Sequence, residues 1–262
     1  MMKQDIRKVI LSPYFYISIV LVAVFLYMGS AWETTPDFLY LYWCTHFAGM
    51  TSFVMPLLAG LATADIYCVE RRDGYHYSML MRSDVTSYCL SKIVVATLTG
   101  LFVALLGIAV YAVICMFTVD GTLQIATKQG TYQVYSQDMD YSGNFMDSLG
   151  GAYNWWGMLA MYLASFGLYS MMWPVMSLAV AVFTSNRYLV IAFPVLFVNF
   201  LFTITPLLGL DWFNPIDISG SFSSSRMLSL PLSGIPFQIG MMLLYVLVCG
   251  TIFRVGVGRS LK

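Results

Sequence analysis

Charged residues are scarce in this sequence, and the scarcity excludes several classes of protein. They make up 10% of the 262 residues, with 13 Lys plus Arg against 13 Asp plus Glu. A soluble domain usually carries about 25% charged residues, and a nucleic-acid-binding protein needs a surplus of Lys and Arg to displace counterions from phosphates. The composition therefore argues against a soluble domain and predicts no nucleic-acid partner.

Residues that carry out catalysis or bind metals are also few. The chain has two histidines, His46 and His76, and its five cysteines show neither the paired spacing of a zinc site nor a disulfide framework. It contains no G-x-x-x-x-G-K-S/T loop, the motif whose backbone amides cradle the phosphates of ATP. The sequence therefore predicts no catalytic site, no metal site and no bound cofactor in this chain.

Hydrophobic residues, in contrast, make up 59% of the chain and lie in long runs. A helix that crosses the hydrocarbon core of a bilayer, about 30 Å thick, needs about 20 residues. Six windows without a charged residue reach that length, and the shortest has 23 residues. The windows are residues 9–32, 38–64, 93–119, 148–186, 188–210 and 227–253.

These windows predict six transmembrane helices, and the basic residues predict their orientation. With both termini in the cytoplasm, 11 of the 13 Lys and Arg residues lie on the cytoplasmic side, and only Lys128 and Arg226 lie outside. That asymmetry satisfies the positive-inside rule. We therefore expect an all-α integral membrane protein with a single transmembrane domain over residues 1–262. The expected spans are approximately 12–29, 48–66, 93–118, 154–184, 188–209 and 236–253.

Two predicted external segments each have two interpretations. Residues 120–150 form an extracytoplasmic loop that contains either a small hairpin or no regular structure. Residues 211–235 carry prolines and a serine-rich run, which fits either a re-entrant segment before the last span or a surface loop.

The most polar part of the chain is the predicted cytoplasmic loop 67–92, between spans two and three. Gly74 interrupts a charge-dense stretch, and residues 75–80 follow with an aromatic and apolar face. This order predicts a short helix presented to a partner, because aromatic residues and Arg commonly anchor protein interfaces. The alternative is a loop that only anchors two helices at the lipid headgroups.

Two short motifs stand at the cytoplasmic ends of the predicted spans. The first is Asp5-Ile6-Arg7-Lys8, which leads into Ser12-Pro13-Tyr14. The second is Glu70-Arg71-x-x-Gly74, followed by Tyr88 and Lys92. Together with six spans, they resemble the permease subunits of the ABC-2 class of ABC transporters, although Asp5 stands where that family more often has Glu.

The resemblance implies roles for particular residues. An N-terminal amphipathic helix that contains Asp5, Arg7 and Lys8 would lie along the inner membrane surface. A coupling helix between spans two and three would dock on a separate ATPase. Its residues would be Tyr75, Tyr77 and Leu80, packed into the ATPase, with Glu70, Arg71 and Arg72 fixing the register at the end of span two and Gly74 permitting the turn.

The resemblance also implies an assembly of two permeases, identical or different, with two cytosolic ATPase subunits that bind ATP and Mg. Its expected activity is export, across a bacterial cytoplasmic membrane, of a hydrophobic or amphipathic substrate such as a peptide antibiotic, a drug or a lipid-like molecule. Two alternatives stay open: an ion-coupled secondary transporter, and a non-catalytic scaffold or bacteriocin-immunity protein. Asn199, in the fifth predicted span, either lines a transport pathway or makes a hydrogen bond between helices.

Overall fold

The protein is helical throughout the part that the structure describes. The computed structural model describes residues 2–30, 50–81, 84–118, 155–210, 213–216 and 235–259. Of these residues 92% are helical, and none of them forms a strand. The main helices are α1 Met2–Leu11, α2 Pro13–Ser30, α3 Met50–Arg72, α4 Tyr75–Leu80, α5 Val85–Thr118, α6 Trp155–Ala181, α7 Arg187–Leu208 and α8 Ile235–Arg259. The predicted loop 120–150 and most of segment 211–235 lie outside the described residues.

The chain begins with a short amphipathic helix that is sharply bent relative to the next one. In α1, Asp5 and Val9 are four residues apart and both are buried, while Arg7 and Lys8 are exposed. The helix ends before Pro13, because proline lacks an N–H donor and is tolerated at the first position of a helix but not in its interior. At this break α1 and α2 are bent by 59°. The N-terminal segment thus turns away from the axis of α2.

Helix α6 lies at the centre of the bundle. It packs against α3, α5, α7 and α8, while α2 packs against α3 and α5. Its large side chains Tyr169 and Trp173 are completely buried. The approach of α5 to α6 depends on Gly100, because a Cβ atom at this position would collide with the backbone carbonyl oxygen of Ser170. Small residues permit such close contacts between helices in apolar bundles.

Three of the described helical stretches are long and apolar enough to cross a membrane: Val85–Ile114, Arg187–Leu208 and Ile239–Arg259. The bent pair α1 and α2 meets the same criterion when the two are taken together. The apolar stretches Phe53–Thr63 and Phe166–Ala181 are shorter. The all-α character expected from the sequence is confirmed for the described residues, and their apolar helices favour an integral membrane protein.

Helices α3 and α5 continue past the limits that the charge-free windows predict. α3 runs to Arg72, so Glu70 and Arg71 are helical and not part of a loop. α5 begins at Val85, so Lys92 lies two turns inside it. A charge-free window ends at the first charged residue. A helix can continue beyond that residue when its charged side chains form ion pairs or hydrogen bonds with other helices.

Candidate functional site

Four ionisable side chains meet where α1 packs against α3 and α5. Asp5 and Lys8 come from α1, Glu70 from α3 and Lys92 from α5. The Nζ atom of Lys92 lies 2.7 Å from Oδ1 of Asp5 and 2.9 Å from the Glu70 carboxylate. The Nζ atom of Lys8 lies 2.8 Å from Oε1 of Glu70. We call these four residues the ion cluster.

The ion cluster is largely buried, and its charges balance. Asp5, Glu70 and Lys92 are 2%, 4% and 5% exposed, whereas the side chain of Lys8 is 44% exposed. Two carboxylates face two ammonium groups, so the formal charge of the cluster is zero. Buried charges are tolerated in proteins when they are paired and hydrogen-bonded, and this arrangement meets that condition.

Two neutral side chains of α5 complete the hydrogen bonding of the acids. The hydroxyl of Tyr88 donates to Oε2 of Glu70 over 3.2 Å, and the hydroxyl of Ser91 donates to Oδ2 of Asp5 over 3.3 Å. Tyr88 and Lys92 are four residues apart, so they share one face of the helix. The first turns of α5 therefore present a polar face to α1 and α3.

The salt-bridged pair of Lys8 and Glu70 is charged at neutral pH. Burial by itself would raise the pKa of Glu70, but the charge of Lys92 and the hydrogen bonds from both lysines outweigh it and hold that pKa below its ordinary value. Burial would likewise lower the pKa of Lys8, but the hydrogen bond and charge of Glu70 reverse the effect and raise it. The two groups are therefore an ion pair.

A glycine in the left-handed conformation joins α3 to the short helix α4. Gly74 has φ of 67°, a value that glycine adopts at little cost because it has no Cβ atom. The backbone N–H of Tyr77 then donates to the carbonyl of Gly74 at the start of α4. His76 is buried beneath the turn, with Nδ1 3.4 Å from the backbone carbonyl oxygen of Glu70. The turn holds α4 against the end of α3.

Helix α4 presents aromatic and apolar side chains outward. Tyr75 and Tyr77 are 44% and 45% exposed, and Met81, just after the helix, is 89% exposed. We call these three residues the α4 face. The Nζ atom of Lys8 lies 5.0 Å from the centre of the Tyr75 ring, so the ion cluster contacts this face directly. Leu80, in contrast, is partly buried and packs against the core.

The two arginines at the end of α3 have different surroundings. Nη1 of Arg71 donates to the carbonyl oxygens of Ala181 and Val182 over 2.8 Å and 2.7 Å. These carbonyls lie at the C-terminal end of α6, where unpaired acceptors and the helix dipole favour a positive charge. Arg72 is exposed and pairs with Asp73 over 3.2 Å, a surface ion pair of small energetic value. Arg71 thus fastens α3 to α6, and Arg72 stays at the surface.

Two further residues predicted from the sequence lie apart from the ion cluster. Arg7 is exposed on α1. Asn199 is exposed on α7, and its Nδ2 donates over 2.8 Å to the carbonyl oxygen of Val195, one turn earlier in the same helix. This hydrogen bond lies within α7 and does not join two helices.

The pairing inside the ion cluster is not visible in the sequence. Nothing in the order of residues indicates that Lys92 forms ion pairs with both Asp5 and Glu70, or that Ser91 donates a hydrogen bond to Asp5. The attachment of Arg71 to the end of α6 is equally unexpected. The one available signal is the spacing of Tyr88 and Lys92, which indicates a polar face at the start of α5.

Neither comparison with known proteins nor the placement of possible metal ligands assigns a function to this chain. No protein-family model, curated protein or solved structure matches this chain. Across the stretches that the structure describes, no group of three or more His, Cys, Asp or Glu side chains is placed to hold a metal ion. The ion cluster and the α4 face are therefore the features from which a function can be argued.

Proposed function

We propose that this chain is the membrane-spanning permease subunit of an ATP-driven exporter of the ABC-2 class. The observation that carries the proposal is the attachment of the α4 face to the ion cluster, through Lys8, which lies over the Tyr75 ring and pairs with Glu70. A coupling element has to transmit force, and a buried junction of paired charges holds its helices together. A movement imposed on α4 therefore moves α1, α3 and α5 as one unit.

The α4 face has the chemistry of a surface that docks on protein. It combines two half-exposed tyrosines with a strongly exposed methionine, and aromatic residues and Met are enriched at protein interfaces. Its partner is a separate chain, because this sequence has no loop that cradles phosphates. We assign α4 as the coupling helix, and two cytosolic ATPase subunits as the partners that bind ATP and Mg.

In this proposal six helices cross the membrane: α2, α3, α5, α6, α7 and α8. Helix α1 lies along the inner surface, and both termini are cytoplasmic. The support is the excess of Lys and Arg on one side of the predicted spans. The ion cluster and α4 are then cytoplasmic, where an ATPase can reach them. Two such permeases form the transport unit in a bacterial cytoplasmic membrane.

The proposed route for cargo runs between the two permeases. Asn199 is exposed on α7, whose neighbouring exposed side chains Leu196 and Phe200 are apolar. A polar side chain inside a membrane span commonly faces a pathway or another helix and not lipid. The apolar surroundings suit a hydrophobic or amphipathic cargo, such as a peptide antibiotic, a drug or a lipid-like molecule.

The ion cluster favours this proposal over a proton-coupled carrier and over a scaffold or immunity protein. A proton-coupled carrier needs an ionisable group that can exchange protons within the membrane. Asp5 and Glu70 are the buried acids among the side chains that the structure describes, and both are already paired with lysine. A scaffold or immunity protein would not require an exposed aromatic helix attached to a buried junction.

The decisive experiment removes the apolar character of the α4 face while leaving the ion cluster intact. The variant Tyr77→Asp, combined with Met81→Asp, is purified from the native host in mild detergent, and its partners are identified by mass spectrometry. We expect the unmutated protein to carry a P-loop ATPase in equal amount and the variant to lose it. The matched control is Tyr188→Asp, because Tyr188 is 70% exposed and lies outside α4.

Two results would overturn the proposal. One is the absence of any ATPase from the unmutated preparation, which would favour a carrier or a scaffold. The other is equal retention of the ATPase by the α4 variant and the control, which would remove α4 from the docking surface. Insertion of both variants in the membrane is checked by their yield in the detergent-soluble fraction.

A further inference from the structure

An apolar groove runs between α6, α7 and α8, away from the ion cluster. Its volume is about 800 Å³, within the range of about 300–1,000 Å³ that is typical of small-molecule sites. None of the described residues that line it is charged. Six apolar lining residues follow a four-residue spacing along α7 and α8: Leu189, Phe193, Phe197, Leu244, Val248 and Ile252. Tyr245 and Cys249 of α8 also line it. The stretch from Leu244 to Ile252 makes the groove about 12 Å long, at about 1.5 Å per helical residue.

The groove continues into a second cavity that ends at a positive charge. The second cavity has a volume of about 510 Å³ and shares Phe183, Val248 and Ile252 with the first. It extends along α8 to Arg259, which lines its far end. Helices α6, α7 and α8 contain no Asp or Glu, so every formal charge on them is positive. The combined groove is therefore apolar along its length and cationic at one end.

We propose that this groove binds one acyl chain of an anionic phospholipid, with the lipid phosphate at Arg259. Two of its three helices are among those long and apolar enough to span a membrane, and in a bilayer a groove open at the outside of these helices would face hydrocarbon. An acyl chain has the elongated apolar shape of the groove. Apolar burial alone gives little selectivity inside a bilayer, because lipid tails are as apolar as the groove itself. The cationic end therefore selects the headgroup. This inference does not depend on the proposed function.

A photo-crosslinking experiment tests the occupant of the groove. Phe193 is replaced by p-benzoylphenylalanine, and the protein is reconstituted in a mixture of phosphatidylglycerol and phosphatidylcholine. It is then extracted into detergent, washed to remove loosely bound lipid, and irradiated. Intact mass spectrometry measures the mass of any adduct. The control carries the same residue at Leu196, which is exposed on α7 but does not line the groove. We expect a phosphatidylglycerol adduct at position 193 and little or none at position 196.

The charge of the groove is tested in the same assay. Arg259→Gln should lower the ratio of phosphatidylglycerol to phosphatidylcholine adducts about five-fold, the factor that corresponds to the roughly 1 kcal/mol contributed by one basic residue near an anionic lipid surface. Lys3→Gln, which removes one positive charge from α1, should leave the ratio unchanged.

Four outcomes would overturn the proposal. The first is equal adducts at positions 193 and 196, and the second is a crosslink from position 193 to a second copy of the chain. The third, seen when the same protein is irradiated in its native membranes, is an adduct whose mass is that of an amphiphile other than a phospholipid. The fourth is an unchanged lipid ratio in Arg259→Gln. The second outcome would make the groove a protein interface, and the third would make it a cargo site.

Discussion

Replacing Lys92 with methionine tests whether the ion cluster is the buried junction that the structure describes. Methionine has a similar length and no charge, so the change removes the ammonium group with little change in volume. Asp5 would keep only its hydrogen bond from Ser91, and Glu70 would keep Lys8 and Tyr88. The cluster would then hold two carboxylates against one lysine, and one buried charge would have no counterion.

The expected loss in the free energy of unfolding depends on how deeply each lysine is buried. Removing one partner of a buried ion pair typically destabilises a protein by about 3–5 kcal/mol, because the remaining charge is left uncompensated. Lys92 is 5% exposed, so Lys92→Met should destabilise the protein by about this amount. Lys8 has a 44% exposed side chain, and Glu70 retains Lys92 when Lys8 is lost, so Lys8→Met should cost at most about 1 kcal/mol.

Reversible unfolding of the purified protein in mixed detergent and SDS micelles measures these free energies. A third variant, Asp5→Asn with Lys92→Met, removes one acid together with the lysine and restores charge balance. We expect it to be more stable than Lys92→Met alone. Equal costs for the two single lysine variants, or a double variant no more stable than Lys92→Met, would refute the reasoning.

The remaining predictions concern acid stability, the turn before α4 and topology. The pKa of Glu70 is lowered in the folded protein, so its contribution to stability is present above its ordinary value of 4.5 and is lost as pH falls through the folded value. The melting temperature of Glu70→Gln should therefore depend less on pH below 4.5 than that of the unmutated protein, and an equal dependence would contradict this. Gly74→Ala should cost about 1 kcal/mol because φ is 67°, whereas Gly258→Ala, with open space around it, should be near neutral. Gly130→Cys should react with an impermeant thiol reagent from outside, above the background of the unmutated protein; reaction only after lysis would contradict the six-span topology.

The helical character of the fold could be predicted from composition and charge spacing. A long segment without charged residues is expected to be helical in an apolar environment, since only a helix satisfies every backbone hydrogen bond within one segment. Gly74 and Pro13 are local signals that need no tertiary information, and helix boundaries lie close to both. The ends of α3 and α5 could not be placed this way, because their last or first turns are polar and depend on partners from other helices.

The ion cluster and the groove are properties of the tertiary structure. Asp5, Glu70 and Lys92 are separated by more than 20 residues from one another, and their burial depends on the packing of α1 against α3 and α5. Leu80 is a similar case, since its position in the sequence suggests an exposed docking residue, whereas the packing of α4 leaves it partly buried against the core. The groove, likewise, exists only because α6, α7 and α8 leave a gap between apolar faces that look alike in sequence.

The sequence by itself therefore determined which segments are apolar helices and where the chain must turn, because hydrophobicity, proline and glycine act locally. Only the tertiary structure decided which charges meet, which aromatic residues stay exposed and where a cavity remains. Those features depend on distances between residues far apart in the chain, and no local preference encodes such distances.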